Sequence, residues 1–251
     1  MTHSYLFRCI LDYLISIPVI LLVIPVGIVA LLAVFLEDGH NPVYVAKRVG
    51  LNGKPFNMFK IRTMIPDADR MNIDSTSVND PRLTRVGKII RIIKIDEILQ
   101  FINVLAGSMS IVGPRPNIDR EVVLYTQKEK RLVTVRPGIT DLSSIVFSDL
   151  GEILKNSDDP NLDYNQLVRP WKARLAMVYV DHGSVGMYFR IIWLTVVNIF
   201  DRRRALRGVV KILEQLNMPE KLISVAARTR PLEPHPPLGS ELIVQSRDHV
   251  Q

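Results

Sequence analysis

The sequence predicts an α+β protein that is mainly α-helical, carries one small β-hairpin and is attached to a membrane. Residues 13–36 form a run of 24 residues without a charge, which as a helix would measure about 36 Å, enough to cross the hydrocarbon core of a bilayer. Residues 43–49 and 56–61 are short extended stretches on either side of a glycine-containing turn, as expected for a hairpin. Residues 83–104 are apolar at helical spacing, and cations recur there every three residues, which is typical of a helix at a lipid interface.

The N-terminal apolar run can either span the membrane once or enter it and return on the same face. Pro18 and Pro25 each remove a backbone donor inside the run, which favours a bend but does not establish re-entry. Arg8 precedes the run, and basic residues follow it at positions 47, 48 and 54, so both ends have the cationic flanks of cytoplasmic segments. A cleaved signal peptide is disfavoured because the run is too long and no small-residue cleavage site follows it.

The rest of the chain predicts one compact domain with appendages. We divide the chain into a membrane helix (1–40), a central domain (41–200) and a C-terminal extension (201–251). Prolines and mixed charges predominate from about residue 228, so we expect no fixed structure there. The central domain is expected to contain a polar loop at 66–82, a helix at 83–104 closed by Gly107, a loop at 110–116, and helices at 121–132, 171–180 and 188–200.

Basic charge is concentrated in one part of the chain. Lys and Arg outnumber Asp and Glu by 32 to 25, and residues 47–95 hold eleven basic residues against four acidic ones. Anionic lipids, phosphorylated substrates and nucleic acid are the partners that such a region could bind, and a solvated basic surface is the alternative.

Several classes of site are excluded by residue content. The single cysteine, Cys9, excludes a disulfide framework and a thiolate metal site. The five histidines show no ligand spacing, so no zinc site is predicted. Neither a P-loop nor a GxGxxG motif is present.

Asp96 and Glu97 are the carboxylates to which we assign chemistry. Adjacent residues on a helix point about 100° apart, so we expect one carboxylate to attack phosphorus and the other to hold a divalent cation that neutralises a diphosphate. Arg91 and Lys94 would keep Asp96 ionised at neutral pH. The residues alone leave open the alternative that Asp96 caps a helix running from residue 97 to residue 106.

Four further basic residues are candidates for phosphate contacts. Lys60 and Arg62 lie in FKIRTM, and Arg115 and Arg136 lie in the loops GPRP and RPG. A guanidinium held in such a Pro-containing loop can bind phosphate oxygens in a bidentate way. An ordinary surface cation is the alternative for each of them.

Asp67-Ala68-Asp69 forms a D-x-D pattern, which some glycosyltransferases use to hold a metal and a nucleotide sugar. Two aspartates within three residues arise often by chance, and the polar loop around them favours a solvated role.

The order and spacing of several motifs resemble the small monotopic phosphoglycosyl transferases, the bacterial sugar transferases that begin exopolysaccharide, O-antigen or glycoprotein glycan assembly. The matching stretches are RVGLNGKPFNMFKIRTM at 48–64, DPRLTRVGKIIR at 80–91, DEILQFINVLAGSMSIVGPRP at 96–116 and RPGIT at 136–140. With the helix region at 179–200, the resemblance covers roughly residues 5–200.

The resemblance implies a monotopic membrane protein with a re-entrant N-terminal helix, broken near Pro25, and with interfacial amphipathic helices. The active site would face the cytoplasm at the bacterial inner membrane. A sugar-1-phosphate would pass from a UDP-sugar to polyprenyl (undecaprenyl) phosphate. Asp96 would form a covalent phosphosugar intermediate with release of UMP, Glu97 would help to bind Mg²⁺, and Arg91 and Arg115 would contact phosphate or nucleotide.

Partners other than these substrates are expected to be membrane lipids and not nucleic acid. Neither the sugar nor the oligomeric state is predicted. Two rival functions stay open. One is a membrane-associated glycosyltransferase that uses Asp67 and Asp69 and releases UDP, and the other is a non-catalytic scaffold that binds anionic lipid.

Four residues depart from the family pattern. Ile24 stands where Ser usually precedes the kink proline, and Ala46 stands where Gln is usual. The usual SLDELPQ is KIDEILQ here, with Lys94 as its first residue, and RPGITG is RPGITD, with Asp141 as its last. The sequence leaves open whether these four departures alter activity.

Overall fold

The computed structural model describes residues 2–68 and 80–246, with side chains from residue 7. The protein is mainly helical, with two small two-stranded sheets in this part of the chain. The strands are β1 (Val43–Val49), β2 (Pro55–Ile61), β3 (Ser110–Val112) and β4 (Gly138–Thr140). The helices are α1 (Thr2–Asp38), α2 (Arg85–Ile92), α3 (Gln100–Leu105), α4 (Asp119–Val123), α5 (Leu142–Val146), α6 (Leu150–Ile153), α7 (Pro160–Asp163), α8 (Arg169–His182), α9 (Val185–Phe200), α10 (Arg202–Gln215) and α11 (Glu220–Ala227).

Helix α1 contains the predicted membrane segment. Residues Phe7–Asp38 are long and apolar enough to cross a membrane, with a mean hydropathy of 3.2 in their most apolar window. Most side chains in the middle of the helix are exposed, as at Leu21, Leu22 and Val29, which is compatible with attachment to a membrane. Both prolines lie inside a single helical element, and the break near Pro25 stays a prediction.

The first half of α1 is joined to the folded domain through a buried carboxylate. Asp12 accepts hydrogen bonds from Ser110 Oγ (3.0 Å), Ile111 N (3.0 Å) and Tyr188 OH (2.8 Å). Nearby, Arg8 donates to the carbonyl oxygen of Gly183 (2.5 Å). Because three donors compensate the burial of this charge, Asp12 is held by the domain despite its apolar helix.

The second half of α1 packs on the same domain. Ala30 and Val34 form a small buried cluster with Ile61 and Ile90. At the helix end, the Asp38 carboxylate receives hydrogen bonds from Nη1 (2.7 Å) and Nη2 (2.6 Å) of Arg62. Both ends of α1 therefore contact the folded domain, while the exposed apolar residues lie between them.

The predicted hairpin is confirmed. Strand β1 pairs antiparallel with β2 in a register that places Val43 opposite Ile61 and Val49 opposite Pro55. The connecting 3₁₀ turn, Leu51–Gly53, uses positive φ at Asn52 and Gly53, a conformation that these residue types tolerate well.

The helix predicted at 83–104 is two helices, and this expectation was wrong in an important way. Helix α2 ends at Ile92, Lys94 has φ of 56°, and α3 starts only at Gln100. A left-handed residue cannot continue a right-handed helix. Asp96 and Glu97 consequently lie in the turn between the two helices.

Two other local predictions need correction. The helix predicted at 121–132 is α4 followed by a 3₁₀ turn, Glu129–Thr134. A reciprocal capping box between Thr126 and Glu129, with both hydrogen bonds at 3.1 Å, starts a new turn there. The region 110–116 is not only a loop, because β3 pairs in parallel with β4.

The C-terminal extension was predicted to lack fixed structure from about residue 228, and as far as residue 246 the structure describes contacts between this segment and the folded domain. The His235 ring stacks on Trp171 with centroids 4.3 Å apart, and Val244 is buried. Gln166 donates to the carbonyl oxygen of Val244 (2.6 Å). Aromatic stacking and backbone hydrogen bonds thus hold a segment whose composition alone indicates disorder.

The main core combines the central domain with the start of this extension. Helices α5, α8 and α9 pack around β3, and α10 inserts Ala205, Val209 and Leu213 into the same buried cluster. Two helices also expose apolar side chains, notably Ile92 of α2 and Trp193 and Phe200 of α9. Together with α1, these surfaces are compatible with a protein that lies on one face of a membrane.

Candidate functional site

The turn that carries Asp96 and Glu97 is fixed by the hairpin. The backbone N–H of Ile61, the last residue of β2, donates to the carbonyl oxygen of Asp96 (2.9 Å). On the helix side, Ile95 N donates to Ile90 O (3.2 Å). The acidic pair therefore lies where the end of α2 meets the edge of the hairpin.

Glu97 is bound by two cations that come from different parts of the chain. Lys60 of β2 donates to Glu97 Oε1 (3.1 Å). The guanidinium of Arg115 donates to both carboxylate oxygens, with Nη1 3.0 Å from Oε2. These two cations outweigh burial and hold the pKa of Glu97 well below its usual range.

Asp96 has the opposite environment. Its side chain is half-buried, and within the described residues its carboxylate has no hydrogen bond or ion pair. Burial and the negative charge of Glu97 raise its pKa, while Lys60, Arg91 and Arg115 oppose the rise. The predicted effect of nearby cations is present but is outweighed.

The two adjacent carboxyl groups thus differ in the direction of their pKa shifts and in their availability. The charge of Glu97 is compensated by Lys60 and Arg115. The carboxylate oxygens of Asp96 accept no hydrogen bond from a donor in the described chain. Separated pKa values in neighbouring carboxyl groups are typical of paired groups with different chemical roles.

Arg115 owes its position to the parallel pair β3–β4. Its Nη1 donates to the carbonyl oxygen of Ile139 in β4 (3.2 Å). The loops GPRP and RPG touch where Gly113 faces Gly138, and a Cβ added to Gly138 would lie 2.1 Å from Gly113 N. Only two glycines permit this close approach of the backbones.

Arg91 also lies near the acidic pair. Its Nε donates to Thr63 Oγ1 (2.9 Å), and its charge acts on both Asp96 and Glu97. The structure therefore brings together three of the predicted cations, Lys60, Arg91 and Arg115, around the two carboxylates.

The structure does not bring the other two predicted cations to the pair. Arg62 donates through Nε to Asn41 O (2.7 Å) and through Nη1 and Nη2 to Asp38, so it fastens the end of α1 to the hairpin. Arg136 donates through Nη1 to Cys9 Sγ (3.3 Å), beside the first half of α1. Both were predicted from motif membership, which does not report the direction of a side chain.

Asp96 does not cap α3. The residue at the N-cap position is Leu99, and no side chain caps this helix. The interpretation of Asp96 as a helix cap is therefore wrong. Asp141 is a cap instead: it starts α5 and accepts a hydrogen bond from Ser144 N (2.7 Å), so this departure from the family pattern has a structural role.

Candidate metal ligands are few in the described part of the chain. It contains no group of three or more His, Cys, Asp or Glu residues placed to hold a metal ion. Asp96 and Glu97 offer carboxylate oxygens, and Mg²⁺ commonly takes only one or two protein carboxylates when phosphates and waters supply the rest. The pair meets that requirement in number, and in this structure both Glu97 oxygens already accept hydrogen bonds from Lys60 or Arg115. Asp67 of the D-x-D pattern is exposed with φ of 57°, and Asp69 lies outside the described residues.

Sequence reasoning missed several polar residues beside this site. Lys172 of α8 is half-buried, and the charges of Arg115 and Glu97 act on it. Glu121 of α4 and Tyr164, which precedes α8, are also half-buried. None of them belongs to a motif, and their proximity arises only when α4 and α8 pack together.

Comparisons with known proteins identify the family to which the chain is similar. The profile of the family described as "Bacterial sugar transferase" matches residues 3–202. The chain is 35% identical over 161 residues to the uncharacterized sugar transferase EpsL of Bacillus subtilis (strain 168), which covers 64% of this chain and 71% of that protein.

Two longer proteins are similar over part of their length. The galactosyl transferase CpsE of Streptococcus agalactiae serotype III (strain NEM316) is 35% identical over 183 residues, covering 67% of this chain and 37% of that protein. The UDP-glucose:undecaprenyl-phosphate glucose-1-phosphate transferase of Escherichia coli (strain K12) is 32% identical over 206 residues, covering 77% of this chain and 40% of that protein. This chain thus spans well under half of each.

The close approach of the two loops can be tested by adding one methyl group. Gly138→Ala would force β3 and β4 apart, and we expect a destabilisation of about 3 kcal/mol, which corresponds to a fall in Tm of about 6–12 °C. Thermal unfolding of the purified protein in detergent would measure it. Gly186→Ala is the matched control, because its Cβ would meet nothing closer than Ser184 Oγ at 4.0 Å. An equal fall in both variants would contradict the assignment.

Proposed function

Because this chain belongs to the bacterial sugar transferase family, we propose that it transfers a sugar-1-phosphate from a UDP-sugar to undecaprenyl phosphate. The observation that carries the proposal is the half-buried Asp96 carboxylate, unbonded among the described residues and adjacent to a Glu97 that two cations hold. The name of the E. coli relative specifies the same class of donor and acceptor. Initiation of exopolysaccharide or lipopolysaccharide glycans is the corresponding pathway step.

The first step is attack on the donor. An oxygen of the Asp96 carboxylate forms a bond to the β-phosphorus of the UDP-sugar, the phosphoanhydride bond to the α-phosphate breaks, and UMP leaves with the bridging oxygen and its electron pair. Lys60, Arg91 and Arg115 stabilise the negative charge of the diphosphate as it shifts to the leaving group. Arg115 and Lys60 also hold Glu97 beside the reacting group.

The second step regenerates the enzyme. A phosphate oxygen of undecaprenyl phosphate attacks the phosphorus of the aspartyl phosphosugar, the bond to Asp96 breaks, and the carboxylate is restored. Glu97 would hold Mg²⁺, which would supply positive charge that neutralises the donor diphosphate in the first step. The residues around Asp96 position the phosphates for both displacements.

The two ends of α1 support the proposed membrane placement. Asp12 and Asp38 each bond to the folded domain, while the apolar middle of the helix is exposed. A re-entrant α1, with both ends on the cytoplasmic face of the inner membrane, satisfies both observations. The acceptor's phosphate would then reach Asp96 at the membrane surface.

The nucleotide released is the first test. Wild-type protein with a UDP-sugar, undecaprenyl phosphate and Mg²⁺ should release UMP, and Asp96→Asn should lower kcat at least about 1000-fold because the nucleophile is lost. Without acceptor, intact-mass measurement should find a sugar-phosphate adduct on the wild type and none on Asp96→Asn. Chromatography of the released nucleotides measures the rate.

Asp67→Asn is the control that separates the rival enzyme. It should keep the wild-type rate, because Asp67 has no part in the proposed reaction. Release of UDP alone, together with full activity of Asp96→Asn, would establish the glycosyltransferase instead. Binding to anionic liposomes without any nucleotide product would favour the scaffold.

The raised pKa of Asp96 predicts how activity depends on pH. Only the ionised carboxylate attacks, so kcat/KM should fall as the pH falls through this pKa, and the fall should begin at a higher pH than for an exposed aspartate. Lys60→Met removes a cation that lowers the pKa of Asp96, so its acid limb should lie at higher pH than in the wild type. An acid limb that shifts to lower pH would contradict this electrostatic assignment.

Re-entry of α1 is tested by labelling. In a Cys9→Ser background, single cysteines introduced by His3→Cys and Val45→Cys should both react with an impermeant maleimide only from the cytoplasmic face. In inside-out and right-side-out vesicles the two positions should behave alike. Labelling from opposite faces would show a straight span.

A further inference from the structure

Three polar side chains beside Arg115 form a group that we call the α4–α8 cluster: Glu121, Tyr164 and Lys172. Glu121 lies on α4, Tyr164 opens a π-helical turn, Tyr164–Val168, and Lys172 lies in the first turn of α8. Lys172 Nζ is 5.2 Å from the centroid of the Tyr164 ring. π-Helical turns occur frequently at functional sites.

None of these three side chains forms a hydrogen bond or an ion pair within the described chain, although all three are half-buried. The Lys172 ammonium and the Tyr164 ring contact each other, and no polar atom of the three side chains is among the fully buried atoms that lack a hydrogen bond in the described chain. Three half-buried polar groups whose polar atoms solvent still reaches are therefore open to a polar ligand.

Charged groups of the cluster interact electrostatically with charged groups of the active site. The positive charge of Arg115 and the negative charge of Glu97 both act on Lys172, and burial lowers the pKa of Lys172 to about 8. The positive charges of Lys172 and Arg48 act on Glu121, although burial still raises the pKa of this carboxyl group. The charge of Arg115 therefore acts both on Lys172 and Tyr164 of the cluster and on the acidic pair.

The chemistry of the three groups selects against a phosphate. Glu121 would repel an anion, and it accepts hydrogen bonds from hydroxyl groups. Lys172 donates to hydroxyl oxygens, and the Tyr164 ring offers an apolar face with a hydroxyl at its edge. A carboxylate, an ammonium and an aromatic ring together match a neutral ring with several hydroxyl groups.

The backbone around the cluster is held from outside. Gln166, within the π-helical turn, donates to Val244 O (2.6 Å), and its own carbonyl oxygen accepts from His235 N (3.0 Å). The C-terminal extension thus supports the turn that presents Tyr164, as expected where side chains must keep a fixed geometry.

We propose that Glu121, Tyr164 and Lys172 bind the hydroxyl groups of a sugar ring of the donor, next to the phosphates held at Arg115. The inference rests on the proposed function, because it takes the donor to be a UDP-sugar. Two rings of that donor have the required chemistry, the transferred hexose and the ribose, and the experiment distinguishes them.

The test compares Glu121→Gln, Lys172→Met and Tyr164→Phe with two controls, Glu152→Gln and Lys130→Met, which change exposed charges elsewhere. UMP release is measured with UDP-glucose, UDP-galactose and UDP-N-acetylglucosamine, and UMP is measured as a competitive inhibitor. Loss of one charged hydrogen bond should lower kcat/KM for the preferred donor about 10- to 100-fold in Glu121→Gln and Lys172→Met. Tyr164→Phe should have a smaller effect, and the controls and the Tm of each variant should stay at wild-type values.

The inhibition arm identifies the ring. If the cluster binds the hexose, the Ki of UMP in the two charge variants stays at the wild-type value. The ratio of kcat/KM between the best and the worst of the three donors then becomes smaller than in the wild type. If it binds the ribose, the Ki of UMP rises by the same factor as kcat/KM falls. Values of kcat/KM within about twofold of wild type for both charge variants would overturn the inference, even with the proposed function intact.

Failure of the proposed function is recognised separately. In that case the wild type and both controls release no UMP from any donor. Calorimetric binding of UDP-glucose then decides the inference. Binding by the wild type that weakens at least tenfold in Glu121→Gln supports it, whereas equal binding by both, or none by the wild type, overturns it.

Discussion

The pairing of Glu97 with Lys60 and Arg115 is the interaction on which the rest of the site depends. It joins β2, the turn after α2 and the GPRP loop, which are far apart in the chain. Breaking it would leave the half-buried Glu97 carboxylate without its cations and Lys60 without its hydrogen-bond partner, which costs more than the pair gains over solvated ions. Because Lys60 and Arg115 bond to Glu97, they do not bond to Asp96, whose carboxylate has no hydrogen bond or ion pair within the described residues. The same arrangement thus gives one carboxylate that is bound by cations, Glu97, and one that is available to react, Asp96.

Much of the fold could be predicted from local signals. The hairpin has turn residues between two extended stretches, and the apolar periods of α8 and α9 fall at the predicted places. The break between α2 and α3 could not be predicted. The helical spacing of apolar and basic residues continues across Lys94, although the backbone of Lys94 is in the left-handed region. The capping box at Thr126 and Glu129 was a readable signal, and overlooking it merged two short helices into one.

The site could be predicted in part for a related reason. Motif order identified Lys60, Arg91 and Arg115, and these residues converge because the segments that carry them pack around one turn. Arg62 belongs to the same motif as Lys60, but it lies just past the end of β2, and its guanidinium bonds to Asn41 and Asp38 instead of approaching the acidic pair. The residues of the α4–α8 cluster have no motif at all, and only tertiary packing brings them together.

The joining of α1 to the domain also constrains the order in which the protein can assemble. The donors that satisfy Asp12 lie 98 to 176 residues later in the chain, so this carboxylate enters the membrane region before its partners have been synthesised. Until β3 and α9 are folded, Asp12 lacks the three donors that compensate its burial. Burial of this carboxylate in α1 therefore depends on the packing of two elements that are distant from it in the chain.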